Sequence, residues 1–342
     1  MANPKAIIFG CSGPSLTAAE KRFFSETRPT GFILFERNCQ DARQVIRLVA
    51  ELKEISGRPA TPILIDQEGG RVQRLKPPHW RDAPAASVLA GLAEKDLDMA
   101  LEAVWLNAVL IAVELSDLGV TVDCAPVLDV PQPGAHNVIG DRAYGNDAKL
   151  IATLGKAMAQ GLLDGGVLPV IKHIPGHGRA AADSHLELPV VDAEAGDLRS
   201  IDFHPFKALS DMPWAMTAHV IYTALDAENP ATNSHAVISK IIRGDIGFDG
   251  VLVSDDIGMK ALSGPFDERT KAALDAGCDL ALHCSGDLAE MEIAAEGAGP
   301  LTSESLARLL KAETMRANSQ EGAGQIDPVA AKVRLDKILE NV

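Results

Sequence analysis

Two short stretches of the chain carry the residue types that acid/base and nucleophilic chemistry require. The first runs from Ile171 to Pro189 and holds three of the nine histidines together with a lysine and an aspartate. Within it, Asp183 and His185 flank one residue, so both side chains can lie on the same side of an extended or turning segment. A carboxylate beside an imidazole fixes its tautomer and stabilises its charged form, which makes the histidine a candidate general acid and base. A chance pairing of two surface residues is the alternative.

The second stretch is VLVSDDIGMKAL from Val251, in which Asp255 directly follows an apolar run typical of a buried strand. A carboxylate held at the end of a strand can act as a nucleophile at the anomeric carbon of a sugar. Adjacent strand residues point to opposite faces, so we expect Asp255 and Asp256 to face differently. In the alternative interpretation, both aspartates cap a helix that contains Met259.

His173 and His177 have the spacing of two zinc ligands on one helical turn. The residues between them are Ile-Pro-Gly and another glycine follows. Proline and glycine disfavour a helix at these positions, so that geometry is not available. A metal site made from loop and strand-end histidines remains open and defines a rival function, a metal-dependent hydrolase. Its ligands would be His173, His177, His219 and His283.

Several further polar residues suit the recognition of a polyhydroxylated ligand. Asp66 offers a pair of acceptor oxygens, and Arg74 and Arg142 offer rigid forks of donors. Arg142 can equally be a salt bridge that pins its loop, and we interpret Glu68 and Arg71 as residues of that structural kind.

The elements that must position these residues are visible as an alternation of short apolar runs with helical stretches. Runs of near-continuous apolarity suit strands that are buried on both faces, as in parallel sheets. Eight such runs begin at Ala6, Gly31, Pro62, Val120, Val167, Trp214, Gly250 and Asp279. Eight βα units in series predict a single (β/α)8 barrel, with a doubly wound open sheet as the alternative.

The predicted strands end in polar or ionisable residues. These are Asp66, Asp129, Lys172, His173, His219, Ser254, Asp255, Asp256 and His283. In a barrel the catalytic groups lie at the C-terminal ends of the strands and on the loops that follow. We therefore expect these side chains to converge on one polar pocket.

Helix signals fill the intervals between the strands. Asp41 is placed to cap a helix over 42–56, with Gly57 just past its end. Further helices are predicted over 98–119, 147–166, 234–247 and 267–277. We expect one domain over 1–342, with a barrel core over about 5–290 and a helical C-terminal segment over about 300–342.

Composition narrows the possible partners and location. A formal net charge of −15 argues against a nucleic-acid partner, because phosphates are bound by basic surfaces. No segment approaches eighteen uninterrupted apolar residues, so we expect no membrane span. Five irregularly spaced cysteines indicate reduced thiols. We therefore expect a cytoplasmic protein. A separate expectation is a monomer or weak dimer.

Four segments, in order, resemble one family. KHIPGHGRAAADSHLELP from Lys172 resembles the signature of bacterial β-N-acetylhexosaminidases of glycoside hydrolase family 3, the NagZ-type enzymes of peptidoglycan recycling, with Ile174 in place of the usual Phe. IIRGDIGFDGVLVSDDIG from Ile241 is similar to the active-site pattern of that family. DQEGGRVQRL from Asp66 and IGDRAYG from Ile139 match further segments.

The resemblance implies a barrel enzyme that removes terminal, non-reducing N-acetylglucosamine from cell-wall fragments without a metal or cofactor. It implies that Asp255 is the nucleophile and His185 the acid/base, with Asp183 as partner of His185. The positions that match sugar-binding residues of the family are Asp66, Arg74, Arg142, Lys172 and His173.

Rivals to a covalent glycosyl–Asp255 mechanism are the metal-dependent hydrolase, attack by the acetamido oxygen of the substrate, and a sugar-binding barrel without catalysis.

One further expectation concerns motion of the loop that carries His185. Gly176, Gly178 and the small residues Ala180 to Ala182 suggest that the loop moves His185 into place when sugar is bound.

Overall fold

The computed structural model describes residues 3–323 and 326–340, and within them the strands form a closed barrel and a small separate sheet. The strands are β1 (Lys5–Gly10), β2 (Pro29–Leu34), β3 (Ile63–Ile65), β4 (Val122–Asp123), β5 (Leu168–Ile174), β6 (Val190–Val191), β7 (Trp214–Thr217), β8 (Ile221–Tyr222), β9 (Val251–Asp256) and β10 (Leu280–His283). All except β6 and β8 belong to the barrel, in the order β1-β10-β9-β7-β5-β4-β3-β2, and all their pairings are parallel. The predicted (β/α)8 barrel is confirmed, and each of the eight apolar runs supplies one barrel strand.

Helices surround this barrel. They are α1 (Ala18–Thr27), α2 (Ala42–Ser56), α3 (Ala86–Gly91), α4 (Leu97–Asp117), α5 (Ala148–Asp164), α6 (Ala195–Asp197), α7 (His204–Ala208), α8 (Phe266–Ala276), α9 (Leu288–Gly297), α10 (Ser303–Ala323) and α11 (Pro328–Leu339). Two segments are π-helical, Leu198–Asp202 and Val237–Asp245. The predicted helix over 234–247 therefore forms, but with the wider π-helical turn over most of its length.

Helix α2 shows how local residues set the bounds of an element. The Asp41 side chain accepts a hydrogen bond from the Gln44 backbone N–H at 2.9 Å, and Gly57 ends the helix with a positive φ of 65°. Both signals act within one turn of the chain, which is why the sequence predicts both ends correctly.

Helix α4 is apolar and 21 residues long, and by length and composition alone it could cross a membrane. Of its most apolar window, 61% is buried inside the protein. Helix α4 packs closely against α5 at Gly161. A Cβ atom added to this glycine would lie 2.7 Å from the carbonyl oxygen of Trp105 in α4. The apolarity of α4 thus has a packing role in the barrel wall, as in the core helix of a globular protein.

The C-terminal helices are joined to the barrel through one buried carboxylate. Asp279, which precedes β10, accepts hydrogen bonds from Arg243 and Arg308, each at 2.9 Å, and from Ser305 at 2.6 Å. It also accepts from the Leu252 backbone N–H of β9 at 2.9 Å. This carboxylate links α10 to two strands at their N-terminal ends, away from the ends that carry the candidate site.

Candidate active site

A cavity of about 270 Å³ opens at the C-terminal ends of the barrel strands. Its volume lies just below the roughly 300–1,000 Å³ usual for ligand pockets, which suits a single sugar ring. Its polar lining consists of Asp66, Glu68, Arg74, Arg142, Lys172, His173, His177, Ser184, His185, Asp255 and Asp256. The residues that the family resemblance assigns to catalysis and sugar binding all line this cavity except Asp183, which lies behind His185 and contacts it.

Four of the expected substrate-binding residues are locked into one ion-pair network. The Lys172 Nζ atom contacts the Asp66 carboxylate at 2.8 Å and the Glu68 carboxylate at 2.6 Å. Arg74 binds the other oxygen of Asp66 at 3.0 Å. Arg142 forms a bidentate pair with Glu68, with distances of 2.8 and 2.9 Å. Arg142 therefore forms the salt bridge that holds its loop and also lines the cavity, so both interpretations of this residue apply.

The charges of this network are fixed by their neighbours. Burial alone would raise the pKa of Asp66, but Lys172 and Arg74 hold it well below its usual range. Burial alone would lower the pKa of Lys172, but the two carboxylates raise it. All members therefore stay ionised near neutral pH, and they present preorganised donors and acceptors to sugar hydroxyls.

His173 is oriented by a carboxylate from outside the cavity lining. Its Nδ1 lies 2.7 Å from Oδ2 of Asp129, which is fully buried. The other oxygen of Asp129 accepts the His177 backbone N–H at 2.6 Å. Burial would raise the pKa of Asp129, but the two histidines bring it down to about 2. The sequence places Asp129 at a strand end and in the pocket, and both expectations are wrong: β4 ends at Asp123, and Asp129 lies in the segment that follows and holds His173 from behind.

Asp255 and Asp256, expected to face differently, both line the cavity and differ in their hydrogen bonds. Asp255 lines the cavity, and its Oδ1 accepts the Asp256 backbone N–H at 2.8 Å. Burial would raise the pKa of Asp255, but the nearby His173 and His219 and this backbone N–H hold it below its usual range. A nucleophilic carboxylate must be ionised, and the surroundings of Asp255 favour that form.

Asp256 has a structural role beside it. Its Oδ1 accepts backbone N–H groups from Gly258 at 2.9 Å and Cys284 at 3.1 Å. Residues 257–262 form turns, and the next helix, α8, begins only at Phe266. The alternative that both aspartates cap a helix containing Met259 is therefore wrong.

The Asp183–His185 pair forms as the D-x-H spacing predicts. The Nδ1 atom of His185 lies 2.8 Å from Oδ1 of Asp183, and the same oxygen accepts the His185 backbone N–H at 2.9 Å. Burial would raise the pKa of Asp183, but these two hydrogen bonds hold it below its usual range. An ionised carboxylate at Nδ1 leaves Nε2 free to exchange a proton with a substrate.

Two strand-end histidines do not reach the pocket. His219 is buried, and its ring nitrogens contact the Thr232 hydroxyl at 2.7 Å and the Asp256 carbonyl oxygen at 3.0 Å. His283 packs between the rings of Phe9 and Phe266, at centroid distances of 6.3 and 5.0 Å. The expected convergence is wrong for these two residues and for Ser254, because none of the three lines the cavity. The buried Ser254 hydroxyl instead accepts the Leu282 backbone N–H of β10 at 3.0 Å.

The rival metal site is not assembled by this arrangement. Its four ligands would have to include His219, whose nitrogens are both occupied, and His283, which lies outside the cavity lining. Within the described residues, no group of three or more His, Cys, Asp or Glu side chains is arranged to hold a metal ion. All five cysteines are free thiols, as predicted.

Sequence reasoning missed the role of two residues in this site. The sequence predicts a structural salt bridge for Glu68, and Glu68 forms one with Arg142; it also lines the cavity and contacts Lys172, which is not predicted. Its position two residues after Asp66 was the available signal, because alternate residues of an extended segment share a face. Asp129 was recognised only as a strand-end residue, and no local pattern connects it to His173.

Comparison with known proteins places the barrel in a family. The family model described as the glycosyl hydrolase family 3 N-terminal domain matches residues 13–310. The chain belongs to glycosyl hydrolase family 3. It is 40% identical over 283 residues to the β-hexosaminidase of Alkalilimnicola ehrlichii, which covers 82% of this chain and 80% of the relative. The β-hexosaminidase of Methylococcus capsulatus is 36% identical over 334 residues, covering 96% and 93%.

A solved structure matches almost the whole chain. The crystal structure of native NagZ from Neisseria gonorrhoeae matches with a TM-score of 0.88 and 32% sequence identity, covering 99% of this chain and 98% of the other. The family inferred from four ordered motifs is thus confirmed, and the chain is a glycosidase.

Proposed function

We propose that this β-N-acetylhexosaminidase is a retaining exo-enzyme that removes terminal, non-reducing N-acetylglucosamine from peptidoglycan-derived muropeptides through a covalent glycosyl–Asp255 intermediate. The observation that carries the proposal is that the Asp255 carboxylate and the His185 imidazole line the same cavity of about 270 Å³. Retaining hydrolysis needs one nucleophile and one group that first donates and then accepts a proton. Asp255 and His185 supply those two functions.

In the first step an oxygen of Asp255 attacks the anomeric carbon. The bond from that carbon to the aglycone oxygen breaks, and this oxygen takes a proton from Nε2 of His185. Asp183 stabilises the charged imidazole before the transfer and fixes its orientation through Nδ1. The step leaves a sugar bonded to Asp255 and a neutral His185.

In the second step the neutral imidazole removes a proton from water. The resulting hydroxide attacks the anomeric carbon from the face that the aglycone left, and the bond to Asp255 breaks. Two displacements at one carbon restore its original configuration. His185 recovers its proton, so the enzyme returns to its starting state.

The ion-pair network supports both steps by holding the sugar. Lys172, Arg74 and Arg142 direct donors, and Asp66 directs acceptors, at a ring placed beside Asp255. Because these charges are already paired, they do not have to reorganise when the sugar binds. His173, oriented by Asp129, adds a further polar contact to the pocket wall.

For the cellular setting we propose a cytoplasmic enzyme with a carbohydrate substrate and no nucleic-acid or membrane partner. The net charge of −15 repels phosphate backbones and anionic lipid surfaces. In this proposal the enzyme acts after other reactions have cut cell-wall glycan into fragments. The fragments must be small enough for their terminal sugar to enter a pocket that holds one sugar.

A fluorinated N-acetylglucosamine derivative with a good leaving group tests the covalent intermediate. The fluorine slows the second step, so the sugar should accumulate on the protein, and peptide mass spectrometry should find it on Asp255. The Asp255→Ala variant is the control and should remain unlabelled. If acetamido attack were the route, the wild-type protein would also remain unlabelled while still turning over natural substrate.

Leaving-group dependence tests the function of His185. His185→Ala should lose roughly 10²–10⁴-fold in kcat/KM on chitobiose, whose leaving group needs a proton, and much less on a 2,4-dinitrophenyl glycoside. Equal losses on both substrates would contradict the proposed acid/base. The same assays are run with and without a chelator. Unchanged activity in the chelator would exclude the metal-dependent alternative.

A further inference from the structure

The loop that carries His185 has a tightly held first part and a lightly held tip. In the first part, the Tyr222 hydroxyl donates a hydrogen bond to the Gly176 carbonyl oxygen at 2.7 Å. The Gln132 backbone N–H donates one to the Gly178 carbonyl oxygen at 3.0 Å. The Ala180 carbonyl oxygen accepts the His136 backbone N–H at 2.8 Å. We call residues 175–180 the loop base.

Ser184 joins the loop tip, residues 181–188, to the turn after β9 and to the loop base. The Ser184 carbonyl oxygen accepts the Ala261 backbone N–H at 3.2 Å, and its hydroxyl lies 3.3 Å from Nε2 of His177. The side chain of His185 itself is 64% exposed. With so few contacts of its own, the tip takes its position largely from the point at which the loop base is anchored.

One buried ion pair anchors the loop base from the side. Nε of Arg179 lies 2.7 Å from Oδ2 of Asp202, which ends the π-helical segment Leu198–Asp202. Their side chains are 18% and 1% exposed. Neither residue lines the cavity, so neither can touch a sugar bound there.

This pair has unused hydrogen-bonding capacity. Nη2 of Arg179 and Oδ1 of Asp202 are both buried and have no hydrogen-bond partner. Guanidinium and carboxylate groups pair most favourably through two parallel hydrogen bonds. The pair makes one such hydrogen bond, between Nε and Oδ2, and its other two atoms lie close to the same anchor point without a partner.

We propose that Arg179 and Asp202 are a positioning pair that sets the orientation of His185 for proton transfer. Arg179 lies six residues before His185, and the chain between them is short and largely alanine. Loss of the anchor would let the loop base move and carry the imidazole away from the glycosidic oxygen. The inference rests on the proposed function of His185.

Arg179→Ala tests the proposal on the same two substrates as the His185 variant. It should lower kcat/KM on chitobiose by roughly tenfold to a hundredfold, and clearly less on the 2,4-dinitrophenyl glycoside, because a misplaced proton donor affects only the leaving group that needs it. Asp202→Ala should show the same selectivity. Arg179→Lys, which keeps a cationic donor, should restore most of the activity on chitobiose.

The ion pair between Arg243 and Asp279 offers a matched control. Its side chains are 18% and 2% exposed, and it lies at the N-terminal ends of the strands without contacting the loop. Arg243→Ala should change stability without any preference between the two substrates. Equal losses by Arg179→Ala on both substrates, or no loss, would overturn the positioning pair.

Comparison of the His185 and Arg179 variants distinguishes failure of the positioning pair from failure of the acid/base assignment. If His185→Ala shows no leaving-group selectivity, the acid/base assignment fails and the positioning pair fails with it. If His185→Ala is selective and Arg179→Ala is not, only the positioning pair fails. Should Arg179→Ala not fold, Arg179→Gln keeps most of the volume without the charge and is judged by the same criterion.

Hydrogen exchange gives an independent readout. Amides of the loop base should exchange faster in Arg179→Ala than in the wild-type protein, while those of β5 stay protected. Unchanged exchange over residues 176–180 would show that the pair does not anchor the base and would overturn the proposal.

Discussion

Buried carboxylates of this chain differ in charge according to what surrounds them. Asp255 and Asp129 lie next to histidines and backbone N–H groups, and their pKa values are held below the usual range against the effect of burial. For Asp202 burial outweighs Arg179 and raises the pKa to about 6. One residue type therefore supplies an ionised nucleophile at one position and a group that titrates near neutrality at another.

Removal of the nucleophile should abolish turnover but leave the fold intact. We expect Asp255→Ala to lower kcat by about three orders of magnitude or more, since no neighbouring group replaces a carboxylate at the anomeric carbon. Assays on nitrophenyl N-acetylglucosaminide with a thermal melt of the same sample check both parts. Substantial residual turnover by a well-folded Asp255→Ala protein would contradict the assignment.

Asp202 should make stability depend on pH in a defined direction. Its pKa is raised from 3.8 to about 6 by burial, so its contribution to stability is full below about pH 4 and is lost as the pH rises through about 6. Between pH 4.5 and 7.5 the free energy of unfolding of the wild-type protein should therefore fall by about 2 kcal/mol relative to Asp202→Asn. Urea unfolding of both proteins at the two pH values measures this difference, and the opposite sign would disprove it.

Among the elements, the loop after β5 depends on glycines for close packing as much as for freedom of motion. A Cβ atom on Gly178 would lie 2.1 Å from the Val130 carbonyl oxygen. Gly176 has a φ of +135°, and a Cβ there would meet Asp202 at 3.0 Å. The glycines thus bring the loop base against its neighbours, and movement of the tip with sugar remains a prediction.

Gly178→Ala should displace the loop base and impair both stability and activity. Relieving the clash with Val130 requires a backbone shift, which we expect to cost about 1–3 kcal/mol and to lower kcat/KM. Gly196→Ala is the matched control, because nothing lies within 4 Å of a Cβ at that position. Thermal melts and kinetics of both variants check the prediction, which fails if the two behave alike.

At the scale of the whole molecule, the two ends of the barrel have different functions. The C-terminal ends of the strands hold the cavity, and the N-terminal ends hold the Asp279 cluster that fastens α10 to the barrel. In barrels of this type chemistry belongs to the first end and stability to the second. Substitutions at Asp279, or at Arg243, Ser305 and Arg308 that bind it, should therefore change stability without changing catalysis.

Asp279→Ala should destabilise the protein without changing its catalytic constants. It leaves Arg243 and Arg308 without their buried carboxylate, a loss of about 3–5 kcal/mol for a broken buried pair. Denaturant unfolding measures the loss, and kcat and KM at a temperature where the variant is folded should match the wild type. A large change in KM would show that the two ends of the barrel are coupled.

The sequence by itself determined the features that depend on local interactions. Eight apolar runs predicted the barrel strands, and Asp41 and Gly57 predicted both ends of α2, because burial pattern and capping act within a few residues. Ordered motifs predicted the family and the residues of the pocket. The D-x-H spacing predicted the contact between Asp183 and His185, which forms within a turn in which the Leu186 backbone N–H donates to the Asp183 carbonyl oxygen.

Only the tertiary structure decided which distant residues meet. Glu68 joins Lys172 across more than one hundred positions, Asp129 orients His173, and Asp202 anchors the loop of His185. The small sheet of β6 and β8 is likewise absent from the sequence pattern. Closure of the barrel sets these contacts, because the direction of a strand-end side chain depends on the twist and stagger of all the strands together.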